Sequence, residues 1–186
     1  MMCDKHVDCN CLINTKYGSA HQTLDELDFS RGIWTAALDG SYDDVINCLE
    51  KKGINPDVLD SSGYTALHYA SRNGHTSVCQ LLLEKGASPN VQTRSGGVTP
   101  LHRAAYCGHT DTLRLLLTSG ADPNIYDADG MLPIHKAAER GQALCVQQLL
   151  EAAPASRSVR DKKGRTPVSC VQEHCDEVKQ LFEDVP

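Results

Sequence analysis

One hexapeptide, written three times, constrains this chain more than anything else in it. Thr65-Ala66-Leu67-His68-Tyr69-Ala70 returns as Thr99-Pro100-Leu101-His102-Arg103-Ala104, and again as Leu132-Pro133-Ile134-His135-Lys136-Ala137. The histidines are 34 and then 33 residues apart, and a glycine follows each one six residues later (Gly74, Gly108 and Gly141). A fixed period near 33 marks one supersecondary unit stacked on copies of itself. Each unit buries its apolar face against the next, so no large central core is needed. The composition agrees. With one Trp, six Tyr and two Phe in 186 residues, the packing must rest on Leu, Ala, Val, Ile and Cys. A stack of this kind is suited to holding a partner rather than transforming a substrate.

The third copy, residues 99–124, lays out the unit. Thr99 is a good N-cap, and Pro100 stands at the first helical position, where its missing N–H costs nothing. A short helix is predicted to about Tyr106, ending at Gly108, a residue able to take a positive φ at a helix C-terminus. A second helix is predicted from about Thr110 to Thr118. Its Leu113, Leu116 and Leu117 share one face at i, i+3 and i+4, and Gly120 ends it. Asp122-Pro123-Asn124 leads into an extended stretch that turns at Asp127-Ala128-Asp129-Gly130, a strong turn signal. The small pairs Ala70-Ser71, Ala104-Ala105 and Ala137-Ala138 let neighbouring units approach closely. The unit is an antiparallel helix pair with a projecting β-turn.

This pattern resembles the ankyrin repeat family. The second copy carries it in Gly63, Thr65, Leu67-His68, Gly74-His75, Leu82-Leu83, Gly86-Ala87 and Asn90, and the third matches almost throughout. The fourth departs at Leu132, Gln142 and Ala152-Ala153-Pro154, where the usual Gly-Ala is lost. A weaker first copy holds Ile33-Trp34-Thr35-Ala36-Ala37, Gly40, Val45, Cys48-Leu49 and Gly53, with Trp34 in the histidine's place and one extra residue before Gly53. A fifth opens at Asp161-Lys162-Lys163-Gly164-Arg165-Thr166-Pro167-Val168 and continues through Val178, Leu181 and Phe182. The resemblance implies an all-α solenoid of helix–turn–helix plus β-hairpin units. Four repeats fall at about 30–59, 60–93, 94–126 and 127–160, with a degenerate C-terminal cap at 161–183. Together they form a domain over 26–186, behind a flexible Cys/His-containing head at 1–25.

Several function classes are disfavoured. A net charge of −6 argues against nucleic acid as the main ligand, which needs a dominant positive surface. No apolar run approaches membrane-spanning length, and the first 20 residues lack a signal-peptide apolar stretch. The expectation is a monomer in the cytoplasm or nucleus, with its nine cysteines reduced. Cys48, Cys79 and Cys145 fall at core positions, where a thiol behaves as a small hydrophobe. Neither a glycine-rich phosphate loop nor a nucleophile–base pair stands out, so neither catalysis nor a cofactor is expected.

The eight histidines invite a metal reading, which the repeat spacing opposes. Rings one repeat apart lie about 10 Å from each other, too far to share an ion. The resemblance instead implies that His68, His102 and His135 bond the hairpin backbone and the Thr hydroxyl, tying one repeat to the next, with His75 and His109 also structural. In the head, Cys3, His6, Cys9 and Cys11 are four soft ligands in nine residues. They lack the two-residue knuckle spacing of a zinc site, so a reduced flexible head is preferred to a zinc-assisted adaptor.

By family analogy a protein partner lies on the concave face, made by hairpin tips and first-helix flanks. The corresponding residues are Leu38, Tyr64, Arg72, Asn73, Val98, Tyr106, Met131, Glu139, Arg140, Lys162, Lys163 and Arg165. Tyr and Arg are the types that dominate interface energetics, and Met131 is read as an adaptable contact. The basic cluster Arg157, Arg160, Lys162, Lys163 and Arg165 and the acidic group Asp25, Glu26, Asp28, Asp39, Asp43 and Asp44 would occupy opposite ends of a linear stack. The resemblance also offers a second reading. Asn90 and Asn124, each eight residues after a leucine (Leu82, Leu116), are similar to ankyrin asparagines that an oxygen-dependent asparaginyl hydroxylase modifies.

Overall fold

Extended backbone at Thr65 and Thr99 (φ −93° and −96°) passes into helix at the next residue, and the side chain at that hinge position decides how the helix starts. The computed structural model describes residues 32–173 and 175–183. Helix α1 spans Ile33–Asp39 and α2 spans Tyr42–Ile46. Then follow α3 (Ala66–Asn73) and α4 (Thr76–Glu84), α5 (Pro100–Cys107) and α6 (Thr110–Thr118), α7 (Pro133–Glu139) and α8 (Ala143–Ala152), and last α9 (Asp176–Glu183). The helices α1, α3, α5 and α7 pack side by side in one layer, while α2, α4, α6, α8 and α9 form a second layer behind them. The predicted bounds of α5 and α6 agree with this to within a residue.

The core runs along the interface between the layers. Leu67, Leu101 and Ile134 from the first layer and Leu82, Leu116 and Leu149 from the second are at most 1% exposed. Each contributes about 1.5–3 kcal/mol of burial free energy. Between neighbouring first helices lie the small pairs: Ala70, Ser71, Ala104, Ala105, Ala137 and Ala138 are all fully buried, which permits the close approach that larger side chains would prevent. Cys48, Cys79 and Cys145 are buried too, at 4%, 0% and 0% exposure, and burial pushes the Cys79 and Cys145 thiols up to about 12. All three fill space, and the Cys79 and Cys145 thiols stay protonated at neutral pH.

Departures from the repeat have local physical solutions. The extra residue of the first copy is absorbed at the end of α2, where Asn47–Lys51 forms a π turn and the Lys52 N–H bonds the Asn47 carbonyl at 3.2 Å. One wider turn accommodates the insertion without breaking the helix. In the fourth copy, Gly86 and Gly120 (both φ +89°) are replaced by Ala153, whose Cβ disfavours that conformation. Ala153 instead takes φ −145°, and the chain leaves through a 3₁₀ turn at Pro154–Ser158.

The projecting segments correct one expectation. No strand occurs among the described residues. Each turn is closed by two backbone bonds: Asp60 N–H to Tyr64 O, Asp127 N–H to Met131 O and Asp161 N–H to Arg165 O, each at 2.9 Å, and inside them the Gly63, Gly130 and Gly164 N–H groups to Asp60, Asp127 and Asp161 O at 3.0, 2.9 and 2.9 Å. In the third unit the outer bond runs from Thr93 N–H to Val98 O at 3.0 Å and the inner one from Gly97 N–H to Thr93 O at 3.0 Å, one residue wider, in keeping with the 34-residue spacing of His68 and His102. Successive turns touch at their tips: the Ala128 N–H donates to Gly96 O at 2.8 Å and the Lys162 N–H to Asp129 O at 3.0 Å. Gly63, at φ +83°, shows why the turn needs a glycine. A Cβ there would stand 2.7 Å from the Arg94 backbone nitrogen of the next turn.

Candidate partner-binding face

A row of buried rings fixes this face before any partner arrives. In the second unit the Thr65 hydroxyl and N–H reach His68 Nδ1 at 2.8 and 3.1 Å, and His68 Nε2 donates to Val98 O of the next unit at 2.9 Å. His102 repeats this with Thr99 and Met131 O, the latter at 3.1 Å. At His135 the leucine that replaces threonine supplies only its N–H, at 3.1 Å, while Nε2 reaches Val159 O at 3.2 Å. Burial holds the His68 and His102 rings down at about 4, so they are neutral at pH 7. Trp34 shows which part of the ring the position requires: its indole N–H donates to Val58 O at 3.1 Å. His75 and His109 tie backwards, through Nε2 to Leu38 O at 3.0 Å and to Arg72 O at 2.9 Å.

With the first helices held in register, their outer flanks form a grid. On each helix the residues at i, i+3 and i+4 share one face, which aligns Tyr69, Arg103 and Lys136 in one row. Arg72, Tyr106 and Glu139 align in a second, and Asn73, Cys107 and Arg140 in a third. Cross-repeat pairs join them. The Arg103 guanidinium bonds the Tyr64 hydroxyl and sits 5.1 Å from that ring's centroid. The Arg140 guanidinium bonds the Tyr106 hydroxyl and sits 4.2 Å from its centroid. Tyr64 also meets the His68 ring edge-on at 5.6 Å.

Most of the sequence-named residues reach this surface. Asn73 and Arg140 are exposed, and Leu38, Tyr64, Arg72, Val98, Tyr106 and Glu139 are half-buried. Asn73 also bonds Leu38 O at 2.7 Å, and Gln172 bonds Glu139 O at 3.2 Å. Met131 is the correction. It is 3% exposed, with its sulfur 3.2 Å from Lys136 Nζ and 3.9 Å from Arg165 Nη2, so it anchors two cations from within and offers no surface contact. Lys163 and Lys162 are exposed at the last turn, Lys162 reaching Ala128 O at 2.6 Å, and Arg165 is bound to Asp161 at 2.8 Å. The sequence reading passed over Tyr69, Arg103 and Lys136. Their signal was available: they lie one helical turn before Arg72, Tyr106 and Glu139, on the same face.

The two asparagines part company. Asn90 links units, its amide donating to Gly120 O at 3.0 Å and its oxygen accepting the Asp122 N–H at 2.8 Å. Asn124 is exposed and bonds only Asp122 of its own loop, at 3.1 Å, because the 3₁₀ exit of the fourth unit carries the next backbone elsewhere. No group of three or more potential metal ligands occurs among the described residues. Cys3, His6, Cys9 and Cys11 lie outside them. No helix of the described residues is long and apolar enough to cross a membrane.

Stacked helix pairs, the first four units each stapled onward through an aromatic ring, define a helical repeat protein. The family profile for ankyrin repeats, in three copies, matches residues 33–127 and 116–185, and the chain belongs to the ankyrin repeat family, whose repeats generally mediate protein–protein interaction. Among curated proteins it is similar to ankyrin repeat domain-containing protein 39 of Homo sapiens, with 58% identity over 72 residues, 39% of each chain. The Bos taurus protein of that name is 63% identical over 54 residues, 29% of each chain. Ankyrin repeat and SAM domain-containing protein 3 of Homo sapiens is 39% identical over 69 residues, 37% of this chain and 10% of that one. The matched segments thus span well under half the length of these relatives.

Proposed function

We propose that this chain is a non-catalytic interaction module that docks one protein partner across the turn tips and the first-helix flanks, as a monomer in the cytoplasm or nucleus and without a cofactor. One observation carries the reading. Tyr64, Arg103, Tyr106 and Arg140 form stacked Tyr–Arg pairs across repeats on the outer flank, where the repeat packing makes no demand for either type. Such residues supply most of the energy at interfaces. The staples beneath fix them in advance, so docking loses little ordering entropy. Affinity purification with mass spectrometry tests the proposal, comparing wild type with a Tyr106→Ala/Arg140→Ala variant. Partners lost selectively from a variant that melts at the wild-type temperature are the expected result; identical partner sets would refute it.

Exposure of Asn124 favours a second reading, that this asparagine is hydroxylated. One atom of O₂ would enter its β C–H bond to give C–OH, the other oxidising the hydroxylase's organic co-substrate. Peptide mass spectrometry after oxygen-replete expression should show one added oxygen atom on Asn124 and none on Asn90. An unmodified Asn124 would sink this reading.

A further inference from the structure

Three of the turns begin with an aspartate, and each carboxylate is used twice. One oxygen collects N–H groups of its own turn. Asp60 Oδ1 accepts from Ser62 and Tyr64 at 2.9 and 2.7 Å, Asp127 Oδ1 from Asp129 and Met131 at 2.9 and 2.8 Å, and Asp161 Oδ1 from Lys163 and Arg165 at 2.9 and 2.8 Å. The other oxygen holds a donor on the outer flank. The Tyr69 hydroxyl donates to Asp60 at 2.6 Å, Lys136 Nζ lies 2.9 Å from Asp127 Oδ2, and Arg165 Nε lies 2.8 Å from Asp161 Oδ2.

The third unit breaks the series. Thr93 stands in the aspartate's place, and its hydroxyl accepts the Val98 N–H at 3.0 Å. That serves the turn, but threonine brings neither charge nor a second oxygen. Arg103 occupies, in this unit, the place of Tyr69 and Lys136. It reaches the Tyr64 hydroxyl, yet its Nε is buried with no hydrogen-bond partner and no carboxylate pairs with it among the described residues. A half-buried guanidinium with one desolvated, unused donor is a costly arrangement that a nearby anion relieves. Arg72 and Arg140, on the same face, also form no ion pair with a carboxylate among the described residues.

We infer that the protein partner presents an acidic segment to this face and places an Asp or Glu carboxylate on Arg103, filling the position left by the missing turn aspartate. The inference rests on the docking face proposed above and names the chemistry that face selects. The sibling units supply the reason for a carboxylate, since at Tyr69 and Lys136, the places equivalent to Arg103, a turn aspartate answers the donor. Electrostatics adds selectivity. Arginines without carboxylate partners attract an acidic segment, and the exposed Lys162 and Lys163 at the last turn extend that attraction along the stack.

The test is selection of a random-peptide display library on the purified chain. Affinities of the selected peptides follow by fluorescence anisotropy for wild type, Arg103→Met, Thr93→Asp and Tyr106→Ala/Arg140→Ala. The expected peptides are enriched in Asp and Glu, and both Arg103→Met and Thr93→Asp weaken them by about tenfold or more. Thr93→Asp keeps Arg103 and installs the residue its siblings carry, so it should melt no lower than wild type and guards against misfolding as the cause. Peptides without acidic enrichment, or acidic peptides unmoved by both changes, overturn the inference. Neutral peptides lost with Tyr106→Ala/Arg140→Ala would leave the docking face standing and remove its acidic preference. Peptides indifferent to that double variant, or a library yielding no binder, would remove both.

Discussion

An imidazolium at His68 or His102 would carry a proton on Nδ1, directed at the Thr65 or Thr99 N–H that now donates to that nitrogen. Burial, which penalises the charged ring, holds both rings down at about 4 in the folded chain, whereas in the unfolded chain they titrate near 6.5. Between those values the unfolded state binds protons that the folded state refuses, so stability is full above about pH 6.5 and falls as pH drops toward 4. Near pH 5 the loss is about 2 kcal/mol for each ring, and burial lowers His135 in the same direction. Urea midpoints measured near pH 7 and near pH 5 check this. His102→Gln should lower stability near pH 7 and flatten the acid-side slope, and an unchanged slope would contradict the assignment. At this scale the histidines were legible because threonine three residues earlier names their partner. Met131 was not, since its position before the helix entry is half-buried at Tyr64 and Val98 and closes over only where Lys136 and Arg165 converge on its sulfur.

The helix pairs were readable from caps, glycines and leucine spacing, since each boundary depends on residues within one turn of it. The projecting segments were less so. An extended stretch running into a turn signal suggests paired strands, but a turn closed by two backbone bonds and finished by an aspartate side chain needs no ladder. At Asn90 the element-scale consequence is testable. Asn90→Ala removes two bonds between successive loops and should cost about 1–3 kcal/mol. Asn124→Ala should change stability by less than about 0.5 kcal/mol, because its contacts stay within one exposed loop. Thermal or urea unfolding of the two variants measures the difference. The π turn makes a second case: its Glu50 approaches Lys85, at the end of α4, to 2.6 Å with both side chains well exposed, so Glu50→Gln should alter stability by no more than about 1 kcal/mol.

Along the whole molecule, each unit contacts its neighbours and little else, so a core truncation is felt locally and propagates through interfaces. Leu116→Ala, at a fully buried site in the second layer, should destabilise by about 2–5 kcal/mol, measurable by urea unfolding. The architecture was legible from one period. The candidate face was legible only in part, since the flank residues follow from helical spacing while the Tyr–Arg pairs depend on which side chains the stack brings together across 34 or 39 residues. The direction of the ring staples carries a last consequence. His102 donates forward, to a carbonyl that the following unit supplies. During synthesis, which proceeds from the N-terminus, every nascent fragment ends in a ring whose N–H awaits a unit not yet made. A fragment cut from the other end frees the carbonyls that those rings would meet and leaves the backward-pointing donor of His75 or His109 without its acceptor. Shortening the stack from its C-terminal side thus strands a fully buried ring donor at the break, whereas from the N-terminal side the donor that loses its acceptor is the half-buried ring of His75 or His109.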